Sequence, residues 1–443
     1  MCDSVDQSEH PAPRQARSQR VPGMCIKCKT AKPNVSIRLS LYCKPCFVKA
    51  EIFKFRTALN KSRQKANQHG TKLMAAVSGG PTSMAMLKLI LDFHNVGRQG
   101  KTASTAFASV TVGHVDESAL FPGCEDGVQR ILQAEDVEVV TARLEDVFDS
   151  EEGLELVEKT VTPGAVRDKF VAQIVRQNPG VSPRERLKQL FSGLSTATNR
   201  EDMLDSIKTF LIKKLAQSCG CRTLLLGDSG TRMATKVVTY TSRGRGYSLP
   251  FEVLAESQWG DIAVLRPMRE WIAKEVAFFN RWTAQPSAVV PTFTTGAPAK
   301  ASIDRLTESF IVALDRDFPS TVATICRTVT KLQPQDDAAD AVHCLVCGMP
   351  AEAGAQTWRN RLTVSDVSST ESEGPVAAGA KPEPEPETKL AAGGIDITQR
   401  LCYSCQNLLH DAKPGTVLPE FSTHRYQTSD AADLRKQIEE FLI

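Results

Sequence analysis

Nowhere in these 443 residues is there an uninterrupted apolar run of about 18 residues, so no membrane-spanning helix is expected. The first twenty residues are polar, carry several Arg and Gln, and lack the apolar stretch of a secretory signal. A cytoplasmic or nuclear location follows as the expectation, with the cytoplasm favoured; cysteines stay reduced there, which excludes a disulfide scaffold. No internal repeat is apparent beyond a duplicated cysteine pattern, which excludes a solenoid or propeller. Between residues 72 and 335 there is no Cys-x-x-Cys pair. Apolar residues make up 41% of the chain, enough for a sizeable core, and the length suits two or three domains.

What is present is unevenly spread. The net charge is only +3, yet residues 1–72 hold 15 Lys+Arg against 4 Asp+Glu, while the remainder holds 39 against 47. A basic end of this kind suits a polyanion such as nucleic acid. The plainer alternative is a solubilising tail beside a solvated helix.

Four Cys-x-x-Cys pairs stand at the two ends of the chain. Cys25/Cys28 and Cys43/Cys46 precede the main body; Cys344/Cys347 and Cys402/Cys405 follow it. Two such turns bring four thiolates to one tetrahedral ion, which favours zinc at both sites, with an iron–sulfur cluster as the runner-up. The first two pairs have nearly zinc-ribbon spacing. The second two are 54 residues apart, but loop closure becomes costlier only slowly as the loop lengthens. His343, beside Cys344, is a substitute ligand but is expected to be exposed. Cys219 and Cys221 read as a helix end entering a strand, and Cys326 as core.

The pattern along the chain predicts a disordered tail over 1–22, an N-terminal four-cysteine module over 23–50 and a basic connecting helix within 51–71. That helix begins near Phe47, with Phe47, Ile52, Phe55 and Leu59 on one face and Arg56, Lys61, Arg63 and Lys65 on the rest. From residue 72 to 335, short apolar strands alternate with helices, which predicts an α/β fold, a doubly wound parallel sheet with an insertion near 150–200. The C-terminal four-cysteine module occupies 336–351 and 395–443, ending in a short helix over Ala431–Ile443. Residues 352–394 are low in complexity and are expected to form a disordered insert.

After the first strand of this body comes Ser78-Gly79-Gly80-Pro81-Thr82-Ser83, then a helix. Glycines there let backbone N–H groups reach an anion, and the helix N-terminus adds positive potential. Ser78, Gly79, Gly80 and Ser83 are thus candidate nucleotide-binding residues. The run resembles the Ser-Gly-Gly-x-Asp-Ser loop of ATP pyrophosphatases, with Thr82 where those enzymes carry Asp. Gly227-Asp228-Ser229-Gly230-Thr231-Arg232 likewise departs from the run resembling Gly-His-Asn-Ala-Asp-Asp in active tRNA thiolases. Together, Ala76 to Ser83, Gly244-Arg245-Gly246, Arg266-Pro267-Met268-Arg269, Lys274-Glu275-Val276 and the flanking cysteine pairs resemble the cytoplasmic tRNA 2-thiolation protein 2 family.

That resemblance implies an ATP-pyrophosphatase-like fold and a non-catalytic subunit. Its partner would be a catalytic tRNA thiolase subunit, in a heterodimer that places sulfur on C2 of the wobble uridine of tRNA. The sulfur would come from a thiocarboxylated ubiquitin-related modifier, with a further role in conjugating that modifier to proteins. No catalytic residue is assigned, since a neutral Thr82 hydroxyl cannot hold a cation as a carboxylate does, and the change puts ATP binding in question. Arg243 and Arg245 read as a flexible basic loop that touches RNA, or as plain surface. Two other readings stand beside this one: an active ATP-dependent tRNA-modifying enzyme, and a zinc-stapled RNA-binding scaffold.

Overall fold

The computed structural model describes residues 22–66, 70–99, 107–148, 180–318, 320–332, 343–352, 354–355, 401–413 and 416. All but the last residue of the predicted tail over 1–22, almost all of the predicted insert over 352–394 and the predicted helix over Ala431–Ile443 lie outside them. Within them, a two-stranded hairpin, β1 (Val35–Ile37) and β2 (Ser40–Tyr42), leads into a 22-residue helix, α1 (Lys44–Lys65). Pro45 in its first turn costs no hydrogen bond, because that N–H would have no helical partner. Phe47, Glu51, Phe55, Leu59 and Ser62 recur at three- and four-residue spacing and form its buried stripe. The carboxylate in that stripe needs a cation: Lys54 reaches Glu51 at 3.3 Å and Glu275 at 2.7 Å. Burial, and then repulsion from Glu275, still push Glu51 up to about 7.

Six strands form the main sheet: β3 (Lys72–Ala76), β4 (Ser109–Asp116), β5 (Glu138–Arg143), β6 (Thr223–Leu226), β7 (Glu256–Trp259) and β8 (Ile262–Leu265). Their order is β5-β4-β3-β6-β8-β7. β3 pairs in parallel with both β4 and β6, so the chain works outward to one edge, returns to β3 and proceeds to the other. This is the doubly wound arrangement expected, with one addition. β7 is an antiparallel edge strand, joined to β8 through Gly260 at φ +60°. Its sequence, Glu256-Ser257-Gln258-Trp259, has too little apolar content to read as a strand, and pairing with β8 imposes the conformation.

Helices cover both faces. α2 (Pro81–Gln99), α3 (Glu125–Gln133), α4 (Pro183–Gly193), α5 (Ala197–Ser218), α6 (Gly230–Ser242), α7 (Leu249–Val253), α8 (Ala273–Thr283), α9 (Ile303–Asp317), α10 (Thr321–Val329) and α11 (Tyr403–His410) follow in chain order. Strand residues alternate between two cores. Leu73, Ala75, Leu225 and Leu265 pack with Phe47, Phe55, Met84 and Phe279 from α1, α2 and α8. Met74, Leu224, Ile262 and Val264 pack on the opposite face with Met203, Ile207 and Leu211 of α5. The second half of the predicted insertion is no appendage: α4 buries Leu187, Leu190 and Phe191 in that second core.

The two cysteine modules therefore sit on opposite faces of one sheet. Val35 and Ile37 of the hairpin belong to the first core; Cys344, Cys347, Cys402, Cys405 and Leu408 belong to the second.

At the end of β6 the backbone passes so close to α2 that a Cβ on Gly227 would lie 2.9 Å from the Ser83 Cα. Backbone cannot swing aside as a side-chain tip can. Gly227→Ala is expected to lower stability by about 1–3 kcal/mol in urea unfolding, with the parent m-value retained.

Candidate functional site

The two cysteine centres share one construction. In each, the first pair lies in a tight turn and the second pair opens a helix. Lys29 N–H closes on the Cys25 carbonyl, and Gly348 N–H on that of Cys344, each at 2.8 Å. Cys43 caps α1 and Cys402 caps α11, so Cys46 and Cys405 fall in the first helical turn, where the helix dipole favours thiolate. Within each group the four Sγ atoms lie within 4.8 Å of one another. Cys28 and Cys43 are 3.8 Å apart, and Cys347 and Cys402 are 3.9 Å apart. Zn–S bonds of about 2.3 Å in a tetrahedron place sulfurs about 3.8 Å apart. The donor set thus fits one tetrahedral ion such as zinc, with no room for a cube of iron and sulfide between the thiolates. All eight predicted ligands are brought together, and the exposed His343 belongs to neither group.

The centres differ in burial. Cys28 and Cys46 are partly exposed, whereas all four C-terminal cysteines are buried. The Thr30 hydroxyl, and then the Thr30 and Ala31 N–H groups, hold the Cys28 thiol down at about 6. Cys46 is pushed up to about 12 by hydrogen bonding to Cys43 and by burial, so metal binding there must release its proton.

The phosphate-loop residues lie at the carboxyl end of β3, where the strand order reverses between β3 and β6. Ser78 is exposed, while Gly79 is buried at φ +80°. The Ser83 hydroxyl donates to the Gly80 carbonyl at 3.0 Å and lies 3.4 Å from the Ser78 Oγ. The loop is covered on one side: the Ala288 N–H donates to the Gly79 carbonyl at 2.9 Å, and a Cβ on Gly79 would meet Val128 at 2.6 Å. Thr82 is half-buried.

The carboxylates along this edge already have partners. Asp116 accepts from the Ser118 N–H and hydroxyl, and Glu117 is ion-paired with Lys208. Asp228, which follows β6, lies 3.5 Å from Lys236 and 3.7 Å from Arg266. Arg266, 1% exposed, also donates to the Leu254 and Phe251 carbonyls and to Ser257. Next to this cluster, Tyr240 donates to Asp205 at 2.8 Å. The nearby Lys236 and Arg232 help hold Asp205 at about 2 against the opposing effect of burial.

Arg243 and Arg245 are corrected by the structure. They are 9% and 4% exposed, not a flexible surface loop. Arg243 pairs with Asp202 at 3.0 Å and with Asp304; Arg245 pairs with the other Asp202 oxygen at 2.8 Å. A guanidinium committed to a buried carboxylate has no face to offer RNA. The carboxylates that draw them inward are distant in sequence, and no local pattern in Gly244-Arg245-Gly246 announces them. Among the other candidates, Lys61 is exposed and Arg56 half-exposed on α1. Arg63 lies over the Phe107 ring at 6.0 Å and donates to Asn60. Lys65 ends α1, and its side chain is outside the described residues. Sequence reasoning missed Asp202, Asp205 and Tyr240, which read only as ordinary positions on two helices.

Two outcomes are expected. Purified full-length chain should carry two zinc ions by elemental analysis, and Cys405→Ser should carry one. Burial, and then the charge of Asp205, push Glu252 up to about 7 against the opposing pull of Lys236. Since that lies above its unfolded value, the folded chain holds a proton which the unfolded chain has lost between about pH 4.5 and 7. Stability is therefore forfeited as pH rises through this window. Glu252→Gln should raise stability at pH 8 by roughly 1–3 kcal/mol, with the gain fading toward pH 5 in paired melting curves.

Residues 302–407 match the family model described as cytoplasmic tRNA 2-thiolation protein 2. The Bos taurus protein of that name is 30% identical over 495 residues, covering 100% of this chain and 98% of its own. The Homo sapiens protein of that name is 32% identical over 479 residues, covering 93% and 90%. Among solved structures, a U34-tRNA thiolase from Methanococcus maripaludis with its [4Fe-4S] cluster aligns with 70% of this chain and 88% of its own, at 14% identity and a TM-score of 0.49. By its full-length likeness to the bovine and human proteins, this chain belongs to the cytoplasmic tRNA 2-thiolation protein 2 family.

Proposed function

We propose that the chain is a non-catalytic subunit of the cytoplasmic machinery that places sulfur on C2 of the wobble uridine in tRNA. It works in a heterodimer with a catalytic thiolase subunit. Sulfur reaches the pair from a thiocarboxylated ubiquitin-related modifier, and the same partnership extends to conjugating that modifier to proteins. The single observation that carries the non-catalytic reading is the state of the sheet edge. Activating a uridine oxygen with ATP requires charge stabilisation at the transferring phosphorus, usually by a carboxylate-held Mg²⁺ and free cations. Here the loop offers Thr82 in place of an acid. Asp116, Glu117 and Asp228 are engaged by Ser118, Lys208, Lys236 and Arg266.

The cysteine centres have a structural part in this reading. Zinc bound by Cys25, Cys28, Cys43 and Cys46, and by Cys344, Cys347, Cys402 and Cys405, would supply cross-linking and no redox or sulfur-transfer chemistry. The basic α1, leaving the N-terminal centre with Arg56 and Lys61 on its outer side, is the surface assigned to tRNA backbone.

The purified chain is expected to produce no AMP from ATP alone, and the reconstituted heterodimer to do so; robust turnover by the single chain would sink the non-catalytic reading. In cells without this gene, 2-thiouridine in bulk tRNA should fall to background by mass spectrometry. Arg56→Glu with Lys61→Glu should weaken tRNA binding by about tenfold at low salt and flatten its salt dependence.

A further inference from the structure

The Gly244-Arg245-Gly246 run, withdrawn above from RNA, lies against the C-terminal cysteine centre. Arg243 ends α6; Gly244, at φ +77°, folds the chain back, and the Arg245 N–H donates to the Tyr240 carbonyl at 2.7 Å. Tyr403, between Cys402 and Cys405, fills the space where a Gly244 side chain would stand, since a Cβ there would lie 2.4 Å from its ring. The turn is thereby pressed onto the knuckle that carries two of the thiolates.

Arg245 reaches into that centre. Its Nη2 donates to the Asp202 Oδ2 at 2.8 Å and to the Cys405 Sγ at 3.6 Å. One terminal nitrogen carries two hydrogens, and each has an acceptor. The Tyr240 ring lies 5.6 Å from the guanidinium carbon. The remaining Asp202 oxygen takes Arg243, so the carboxylate is held between two guanidiniums and aims one of them at sulfur.

We propose that Arg245 is the outer-sphere counter-ion of the C-terminal metal centre. The inference rests on metal binding by Cys344, Cys347, Cys402 and Cys405. Four thiolates on a divalent ion carry a net charge of −2, and all four of these cysteines are no more than 5% exposed. A buried dianion needs a buried cation, because no solvent reaches it to screen the charge. The N-terminal centre has no such need: Cys28 and Cys46 are partly exposed, and Lys27, Lys29 and Lys44 stand in solvent around it. An N–H···S bond to Cys405 draws charge from the sulfur and slows its protonation and departure. Arg245 comes from the α/β domain and Cys405 from the C-terminal module, so the same contact fastens the module to the sheet. Neighbours of metal ligands that act in this way commonly change metal affinity by about 10–100-fold.

The test uses the full-length chain loaded with zinc and, separately, with Co²⁺. Metal content is counted, and release to a chromophoric chelator is timed. Arg245→Met, similar in length and uncharged, is expected to release one of its two zinc ions about 10–100-fold faster, while the other leaves at the parental rate and reports an intact fold. Release of both ions at parental rates would overturn the proposal. Should Arg245→Met fail to fold, Arg245→Gln decides, since it keeps N–H donors for Asp202 and loses the charge. A shifted sulfur-to-Co²⁺ charge-transfer band at one site, with release from that site several-fold faster, supports the assignment; an unchanged band and rate refute it. A parent chain that holds no metal on its C-terminal cysteines, shown by equal metal content in the parent and Cys405→Ser, would instead bring down the metal reading beneath it.

Discussion

The convergence of eight cysteines into two groups of four is the constraint on which this architecture depends. Each centre ties a short turn to the first turn of a helix, and each then lays that helix end into a core on one side of the same sheet. The modules are too small to bury a core of their own, and small folds of that size usually need a metal or a disulfide. Their apolar residues are instead absorbed by the α/β body. Val35, Ile37 and Phe47 serve one face; Leu345, Val346 and Leu408 serve the other. Cysteine cluster and sheet core are thereby built as one unit on each face.

The interior holds several charged side chains. Asp202, Arg243, Arg245, Arg266 and Glu275 are all buried, and each meets an opposite charge or a row of carbonyls. In an active nucleotide enzyme, the carboxyl edge of the sheet keeps charged groups available for ligand. Here Asp228 and Glu117 have taken lysines and an arginine as partners. Charges at this edge thus satisfy one another.

Much of this was readable in advance, for definable reasons. Cys-x-x-Cys spacing states a geometry by itself, because two residues between thiolates set the turn that lets both face one ion. The strands β3, β4, β6 and β8 were legible as short apolar runs, since strands buried on both faces carry no polar alternation, and the edge strand β5 by its Val139-Val140 pair. β7 was not, because a polar edge strand resembles a loop until its neighbour is known. α4 hid in a stretch that looked like an insertion. The arginines of the glycine-flanked turn were misread for the same reason: Gly244 signals a reversal of the chain, but which way the next side chain points depends on α5, 43 residues earlier, and on a cysteine 160 residues later.

By itself, then, the amino-acid order determined the candidate metal donors, the alternation of strands and helices, the glycine-lined turn after β3 and the absence of an acid at position 82. These are local properties, written in spacing, periodicity and residue type. Only the tertiary structure decided which charges are spent on one another, which face each cysteine module covers, and that Arg245 meets sulfur and not solvent. Burial and pairing are set by segments far apart in the chain, and a side chain's chemistry follows from what the fold brings to it.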